Sequence, residues 1–587
     1  MQSKIDLSEL FKNDESFLKA LNKLTKEIRK YSKYQGKLFE SAQNLYDFLE
    51  FDNNISKELE SIYIYAHINN DLDLSNSTYQ DYLGRVMKVI NDLSEISSFV
   101  VPEILEHEYE EFVAFLKAEP KLKTYQLNIK KIFRNKKFTK SKEEERIISI
   151  LTSSYDKPED ISEMLINTDL DYGFIKDENG NDVHLTNSNY STYIESVNRD
   201  VRKATFEAMY NEIKAHENTF ASILATEILN NNKIAKIRNF KSARELSLYH
   251  NEVKNNIYDE LIEGVHNGLP IFYKYYELKQ KVLGLKDFHL YDTYANITKD
   301  YNKKYSFEEA REIVLDAMGI LGEDYSKVLK SSFDNGWIDS TICKTKRSGA
   351  YCTCAYLTHP YVVMSYEEKL NDISTLAHEL GHAMHYYYAQ TNNSYQDYGY
   401  SIFVAEVASQ VNEIILTDYL LKKSTDIEEK KYLLDLILQR FKSTIIRQTM
   451  FAEFEDKLHK LEQEGNTLTK ELITNEYYSL NKNYFGQNVI VDEDIKYECF
   501  RIPHFYYNFY VYQYATGYAA AMKIATDIIN GKPKALENYL KFLKLGSTKD
   551  PVASLKLAGV DMTDNKIYED IFKVFENKLD ELRSLYE

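Results

Sequence analysis

The sequence predicts a mainly α-helical protein with one small β-sheet, and three observations carry that expectation. Only 8 prolines and 19 glycines occur in 587 residues, so long helices can run without a breaker. Apolar residues recur at helical spacing, as in Leu45, Phe48 and Leu49, and again in Ile147, Ile148 and Leu151. One region, residues 340–366, replaces that spacing with β-branched and aromatic runs. A content of 43% hydrophobic and 28% charged residues is that of a globular protein and excludes a disordered one.

Residues 1 to about 170 read as successive helices. Lys130, Lys131, Arg134, Lys136, Lys137, Lys140 and Lys142 form the only basic run. Ser141 and Glu144 follow it at capping-box spacing, so a solvated helix end is expected there and not an RNA or membrane patch. Phe174 to Leu185 reads as a hairpin around Asn179-Gly180, and Asn187 to Asn198 opens a new helical array. A boundary near 190 therefore divides an amino-terminal helical domain, 1–190, from a second domain, 191–587. Ala350–Tyr356 and Pro360–Tyr366 read as two strands, whose exposed edge could pair with an extended peptide.

Directly after those strands stands His378-Glu379-Leu380-Gly381-His382. Positions i and i+4 share a helix face, so both imidazoles can reach one metal ion, and Glu379 is placed to take a proton from a water on it. The flanks favour a helix. Asn371 or Asp372 can serve as N-cap, and Ser365 with Glu368 offers an earlier capping box. Ile373, Leu376, Ala377, Leu380 and Met384 form an apolar stripe, while Thr375, His378, His382 and His385 lie on another face. Gly381 costs a helix interior about 1 kcal/mol relative to Ala, which calls for a packing or substrate-approach reason.

A catalytic zinc site usually has three protein ligands. His385 lies about 10 Å along the axis from His378, too far for all three histidines to share an ion. The astacin-like pattern fails as well, because His385 and Tyr388 occupy the places of its Gly and His. The remaining solution is Glu406, on a helix reading from Ser401 to Glu413, with 23 intervening residues for a loop and an antiparallel return. Glu413, on the same face, is either a partner that orients a ligating histidine or a surface carboxylate.

Pro503 can open a further helix carrying His504, Tyr507, Tyr510, Tyr512 and Tyr514, with Tyr507 and Tyr514 on one face. These residues are either an aromatic core stripe or hydrogen-bond donors to an oxyanion.

LAHELGHAMH (Leu376–His385), YSIFVAEVAS (Tyr400–Ser409) and IPHFYYNFYVYQYATG (Ile502–Gly517) resemble the oligoendopeptidase F group of the thimet-oligopeptidase-like M3 zinc metallopeptidases. RSGAYC (Arg347–Cys352), HPYVVMSY (His359–Tyr366), SKEEERIIS (Ser141–Ser149) and NRDVRKATFEAMYNE (Asn198–Glu212) extend the resemblance over nearly the whole chain. His359 and Cys354 depart from the family pattern and bear on substrate preference alone. The resemblance implies a gluzincin-type fold of two helical lobes around a deep channel that admits short unstructured peptides. It also implies one zinc ion (Zn2+) per chain, held by His378, His382 and Glu406, with His504 and tyrosines among Tyr507, Tyr514 and Tyr510 stabilising the oxyanion. The function expected is zinc-dependent hydrolysis of internal peptide bonds. Two other readings stand beside it. A carboxypeptidase or dipeptidyl carboxypeptidase would need a cationic anchor such as Lys346, Arg347 or Arg501, and the third reading is a peptide-binding protein without catalysis.

The net charge of −18 argues against a nucleic-acid partner. No run of eighteen apolar residues spans a membrane, and the amino terminus lacks a signal-peptide core. Four cysteines, Cys343, Cys352, Cys354 and Cys499, with no signal fit free thiols in the cytoplasm. Most of the 49 tyrosines are expected in the core and at its boundary, with the ring buried and the hydroxyl kept wet.

Overall fold

The structure, a computed structural model, describes residues 3–155, 157–299 and 301–587. Met1 and Gln2 of the amino-terminal stretch lie outside the described residues, as do the side chains of Ser153 and of Lys142, the last member of the basic run. Helices dominate and the sheets are small. The chain forms two compact units: Met1–Thr139, Asn302–Tyr419 and Ile524–Gly559 make the first, and Lys140–Tyr301, Leu420–Lys523 and Val560–Glu587 the second. Residue 190 falls inside the second unit.

In the first unit, Asn13 caps helix Asp14–Glu27 by accepting the Ser16 N–H at 3.0 Å. Phe17, Leu21 and Leu24 recur on one face and are buried against Leu45, Phe48 and Leu49 of the 31-residue helix Ala42–Leu72. Each such side chain contributes about 1.5–3 kcal/mol of burial. Farther along that helix, Ile64 and Ile68 join Ala355, Tyr361 and Val363 in a second cluster, which ties the helix to a three-stranded sheet.

A hairpin of β1 (Phe174–Lys176) and β2 (Asp182–His184) precedes that sheet in the chain and belongs to the second unit. Its strands pair antiparallel, Ile175 opposite Val183, around Gly180 at φ +81°, as Asn179-Gly180 suggested. The sheet itself contains β3 (Ile338–Asp339), β4 (Ala350–Cys354) and β5 (Pro360–Met364) in the order β3-β5-β4. β5 is central and wholly buried, parallel to β3 and antiparallel to β4 with Cys352 opposite Val362. β4 is thus an edge. Both expected strands are present, each two residues shorter than expected.

Helix Leu370–Asn392 rests on β4 and β5. Its N-cap is Lys369, and neither Asn371 nor Asp372 holds that place. Asp372, three residues in, reaches back and accepts the N–H groups of Lys369 at 2.9 Å and Glu367 at 2.8 Å. The Ser365–Glu368 box does not open the helix, because Glu368 takes a left-handed turn at φ +67° just before it. The Ser141–Glu144 box does form, with the Ser141 N–H on Glu144 Oε2 at 3.0 Å.

In the second unit, helix Asn255–Leu283 lies along helix Lys566–Ser584, with Phe272, Phe441, Phe572 and Phe575 in mutual ring contact. Two buried tyrosines there keep a hydroxyl partner, Tyr258 donating to the Ala452 carbonyl at 2.7 Å and Tyr275 to Asp435 at 2.7 Å.

The stretch from Pro503 to Tyr514 corrects the expectation of one helix. Pro503–Tyr506 makes a single 3₁₀ turn, and a new helix runs over Tyr512–Ile529. Between them Asn508 and Phe509 take left-handed conformations, φ +42° and +59°, which no continuous right-handed helix accommodates. Tyr507 and Tyr514 therefore do not share a helix face.

Candidate metal and catalytic site

Two helices of the chain build the first cluster. Leu376, Ala377, Leu380 and Met384 bury the inner face of helix Leu370–Asn392, which directs His378 and His382 to one side. The following helix, Ile402–Lys423, crosses at Gly381. A Cβ on Gly381 would lie 2.5 Å from Ser409 Cα and 2.7 Å from the Ala408 carbonyl oxygen, both backbone atoms that cannot give way. This close approach supplies the packing reason for the glycine. Buried Asn412 fastens the crossing: its side chain donates to the Ala377 carbonyl at 3.0 Å and accepts from the Tyr325 hydroxyl at 3.1 Å.

The crossing brings Glu406 to the histidines. His378 Nε2 lies 3.2 Å from His382 Nε2 and 3.3 Å from Glu406 Oε2, and His382 Nε2 lies 3.4 Å from the same oxygen. Metal–ligand bonds of about 2.0–2.1 Å put neighbouring corners of a tetrahedron roughly 3.3–3.4 Å apart. The three donor atoms thus already sit at the corners of a tetrahedral site, and two imidazole nitrogens with one carboxylate oxygen are a zinc-type donor set. Glu413 Oε1 stands 2.5 Å from His378 Nδ1, and Ser409 Oγ donates to Glu406 Oε2 at 3.0 Å.

Burial opposes a charge on His378, but the hydrogen bonds with Glu406 and Glu413 outweigh it and carry the imidazole up to about 10. Burial also works against the Glu406 carboxylate, yet the two histidines hold it well below its usual range. Glu379 is buried, at 7% exposure, and burial raises its carboxyl above the ordinary value although His378 and His382 pull the other way. A carboxylate raised in this way is a stronger proton acceptor than a solvated one. His385 takes no part: it is buried, stacks on Tyr400 at 3.8 Å, and burial holds it neutral down to about 3.

In the second unit, His504, Tyr507, Tyr510 and Tyr514 gather despite the broken helix. His504 Nε2 meets the Tyr514 hydroxyl at 3.2 Å. Ring centroids stand 5.5 Å apart for His504 and Tyr507, 6.5 Å for His504 and Tyr510, and 5.4 Å for Tyr510 and Tyr514. Burial lowers His504, which favours the neutral imidazole. Tyr507 is 40% exposed.

The cationic anchors of the exopeptidase reading are engaged elsewhere. Lys346 is buried, with its ammonium on Asp339 Oδ1 at 2.6 Å, the Met364 carbonyl at 2.7 Å and the Thr341 carbonyl at 2.9 Å. Arg347 Nη1 lies 3.4 Å from Asp71. Arg501 lies over the Tyr190 ring at 5.0 Å and 3.8 Å from Glu498. Sequence reasoning missed Ser409 and Asn412, whose signal is only their place on the face of the Glu406 helix that meets Gly381.

A helical fold with two helix-borne histidines, an adjoining glutamate and a carboxylate from the next helix is that of a metallopeptidase. Residues 192–574 match peptidase family M3 and residues 103–172 match the oligopeptidase F amino-terminal family. The chain is 40% identical to oligopeptidase PepF of Bacillus subtilis, over 99% of this chain and 86% of that protein. It is 37% identical to the group B oligopeptidase PepB of Streptococcus agalactiae, over 99% and 96%. Among solved structures it is similar to oligoendopeptidase-F from Enterococcus faecium, with TM-score 0.75 and 36% identity over 98% of this chain and 99% of that one. The chain belongs to peptidase family M3 and is a metalloendopeptidase acting on oligopeptides.

Proposed function

We propose that the protein hydrolyses internal bonds of short unstructured peptides, using one zinc ion held by His378, His382 and Glu406. The observation that carries this reading is the set of three donor separations, 3.2, 3.3 and 3.4 Å, which already match a tetrahedral edge. When bound, the metal polarises the scissile carbonyl and acidifies a water. Glu379 accepts the proton of the attacking water and passes a proton to the leaving amine. Glu413, as an acceptor only, keeps a proton on His378 Nδ1 and leaves the Nε2 lone pair for the metal. The Ser409 hydroxyl, as a donor, orients the Glu406 carboxylate. His504 and the hydroxyls of Tyr514, Tyr507 and Tyr510 donate to the oxyanion, and the His504–Tyr514 hydrogen bond favours Tyr514 as the principal tyrosine.

The free edge of β4 binds an extended peptide through its backbone, which suits cleavage with little regard to side chains. Residues 1–190 form the oligopeptidase F-type amino-terminal part and 191–587 the catalytic part. A reducing cytoplasm suits the four free thiols, and no helix of the described residues is long and apolar enough to cross a membrane.

The engaged states of Lys346 and Arg501 favour endopeptidase over exopeptidase action. Mass spectrometry of products from peptides blocked at both termini tests this, with and without a chelator. Interior cleavage that stops on chelation is expected. Intact blocked peptides with trimming of free ones would overturn the endopeptidase reading, and stoichiometric metal without any cleavage would favour a binding protein.

A further inference from the structure

The donor group is split by a backbone conformation that its own residues do not favour. Six non-glycine residues of the described chain have left-handed φ, and only Asn508 and Phe509 are consecutive. Asn tolerates that region, whereas a bulky residue such as Phe enters it only when its surroundings enforce it. Three contacts do so here. The Phe509 N–H donates to Glu455 Oε1 at 2.6 Å. The Asn508 carbonyl accepts from Ser247 Oγ at 2.8 Å. The Phe509 ring, with no exposed surface, is wedged between Tyr258 at 5.8 Å and His459 at 4.7 Å.

Glu455 is otherwise hard to account for. It sits on helix Arg447–Gln463 at 3% exposure, and no arginine, lysine or histidine pairs with it among the described residues. Its Oε2 has no hydrogen-bond partner there. Burying a carboxyl group this way is costly unless something is gained from it. Burial raises it, the Phe509 amide works against that, and nearby Asp456 and Glu227 add to it, leaving the group at about 8. Its one hydrogen bond is to the amide at the middle of the turn.

We infer that Glu455 is a positioning residue: by clamping the Phe509 amide it holds the left-handed turn that sets Tyr510 and Tyr514 against His504 and Tyr507. Without the clamp the turn can relax to negative φ, and the two halves of the donor group separate while each stays folded. The inference rests on the proposed role of His504 and the tyrosines.

The test compares Glu455→Gln, which keeps an acceptor at the same reach, with Glu455→Ala, which has none. kcat and KM are measured on an internally quenched peptide, together with metal content and Tm. The Gln variant is expected to keep kcat within about threefold, and the Ala variant to lose about 10- to 100-fold, the size of effect that small misplacements of catalytic groups produce. KM and metal content should change little. If the Ala variant does not fold, Glu455→Asp, whose carboxylate is one methylene short, must show the same loss. A short-reach variant with kcat within threefold of the parent, or a Gln variant as impaired as Ala, overturns the inference. His504→Ala and Tyr514→Phe are made alongside. If both leave kcat unchanged, the donor assignment falls and the inference with it. If they lower kcat and the loss of Glu455 does not, only the clamp is wrong.

Discussion

His378 carries two carboxylate contacts of different kinds, Glu413 on Nδ1 at 2.5 Å and Glu406 beside Nε2 at 3.3 Å. A partner on the outer nitrogen fixes the tautomer and the ring direction, and its loss typically costs 10- to 100-fold in metal affinity, about 1.4–2.7 kcal/mol. Glu413→Ala is therefore expected to weaken zinc by about that factor in competition with a chelator. An unchanged affinity would show that Glu413 plays no part in metal binding. Gly381 makes the converse point, since what matters is the atom it lacks. Gly381→Ala places a methyl 2.5 Å from Ser409 Cα, so the two helices must separate. The expected cost is about 1–3 kcal/mol of stability, together with weaker metal binding because Glu406 moves with its helix. Thermal unfolding and zinc titration check both, and normal values for both would show that the crossing has slack.

Helices and turns decide which of these residues meet. The crossing of Leu370–Asn392 and Ile402–Lys423 depends on Asn412, whose side chain satisfies the Ala377 carbonyl and the Tyr325 hydroxyl at once. Asn412→Ala leaves both buried groups without that partner and is expected to cost about 2–3 kcal/mol in chemical denaturation. A change under half a kilocalorie would contradict that role. The i, i+4 histidines and the helix that follows were readable in the sequence, because spacing and elimination between them left Glu406 as the third donor. Ser409 and Asn412 were not, since a serine or asparagine on a helix has no periodic signature of its partner. The turn at Asn508-Phe509 was hidden for another reason. Neither residue is glycine, and Pro503 followed by tyrosines three and four apart reads as one helix, while the acceptor of the Phe509 amide, Glu455, lies 54 residues earlier in the chain. β3, two residues long and paired with β5, gives too short a run to register.

For the whole molecule, buried neutral histidines contribute to the response to acid. His385 and His459 are each pushed down to about 3 by burial, against about 6.5 when unfolded. Between those values the unfolded chain binds more protons than the folded one, so stability is fully present above about pH 6.5 and falls as the pH drops toward 3. Each histidine can contribute on the order of several kcal/mol across that interval. Tm should fall less steeply from pH 7 to pH 5 in His459→Gln than in the parent, a comparison that cancels the opposing proton uptake by Glu455, raised by burial to about 8, and an equal slope would contradict the neutral, buried state of that histidine. The compact units are each built from three stretches of chain, an arrangement that local spacing does not announce, whereas the helical class was evident from the few prolines and the repeating apolar pairs.

In the proposed mechanism Glu379, a helix-borne carboxylate, acts as the base beside a three-donor zinc site. Glu379→Gln tests it most directly, with zinc measured by elemental analysis and hydrolysis of a quenched peptide measured on the same preparation. Stoichiometric zinc with a rate lowered by about 10²- to 10⁴-fold is the expected result. Full zinc with undiminished hydrolysis would contradict the assignment of Glu379 as the base.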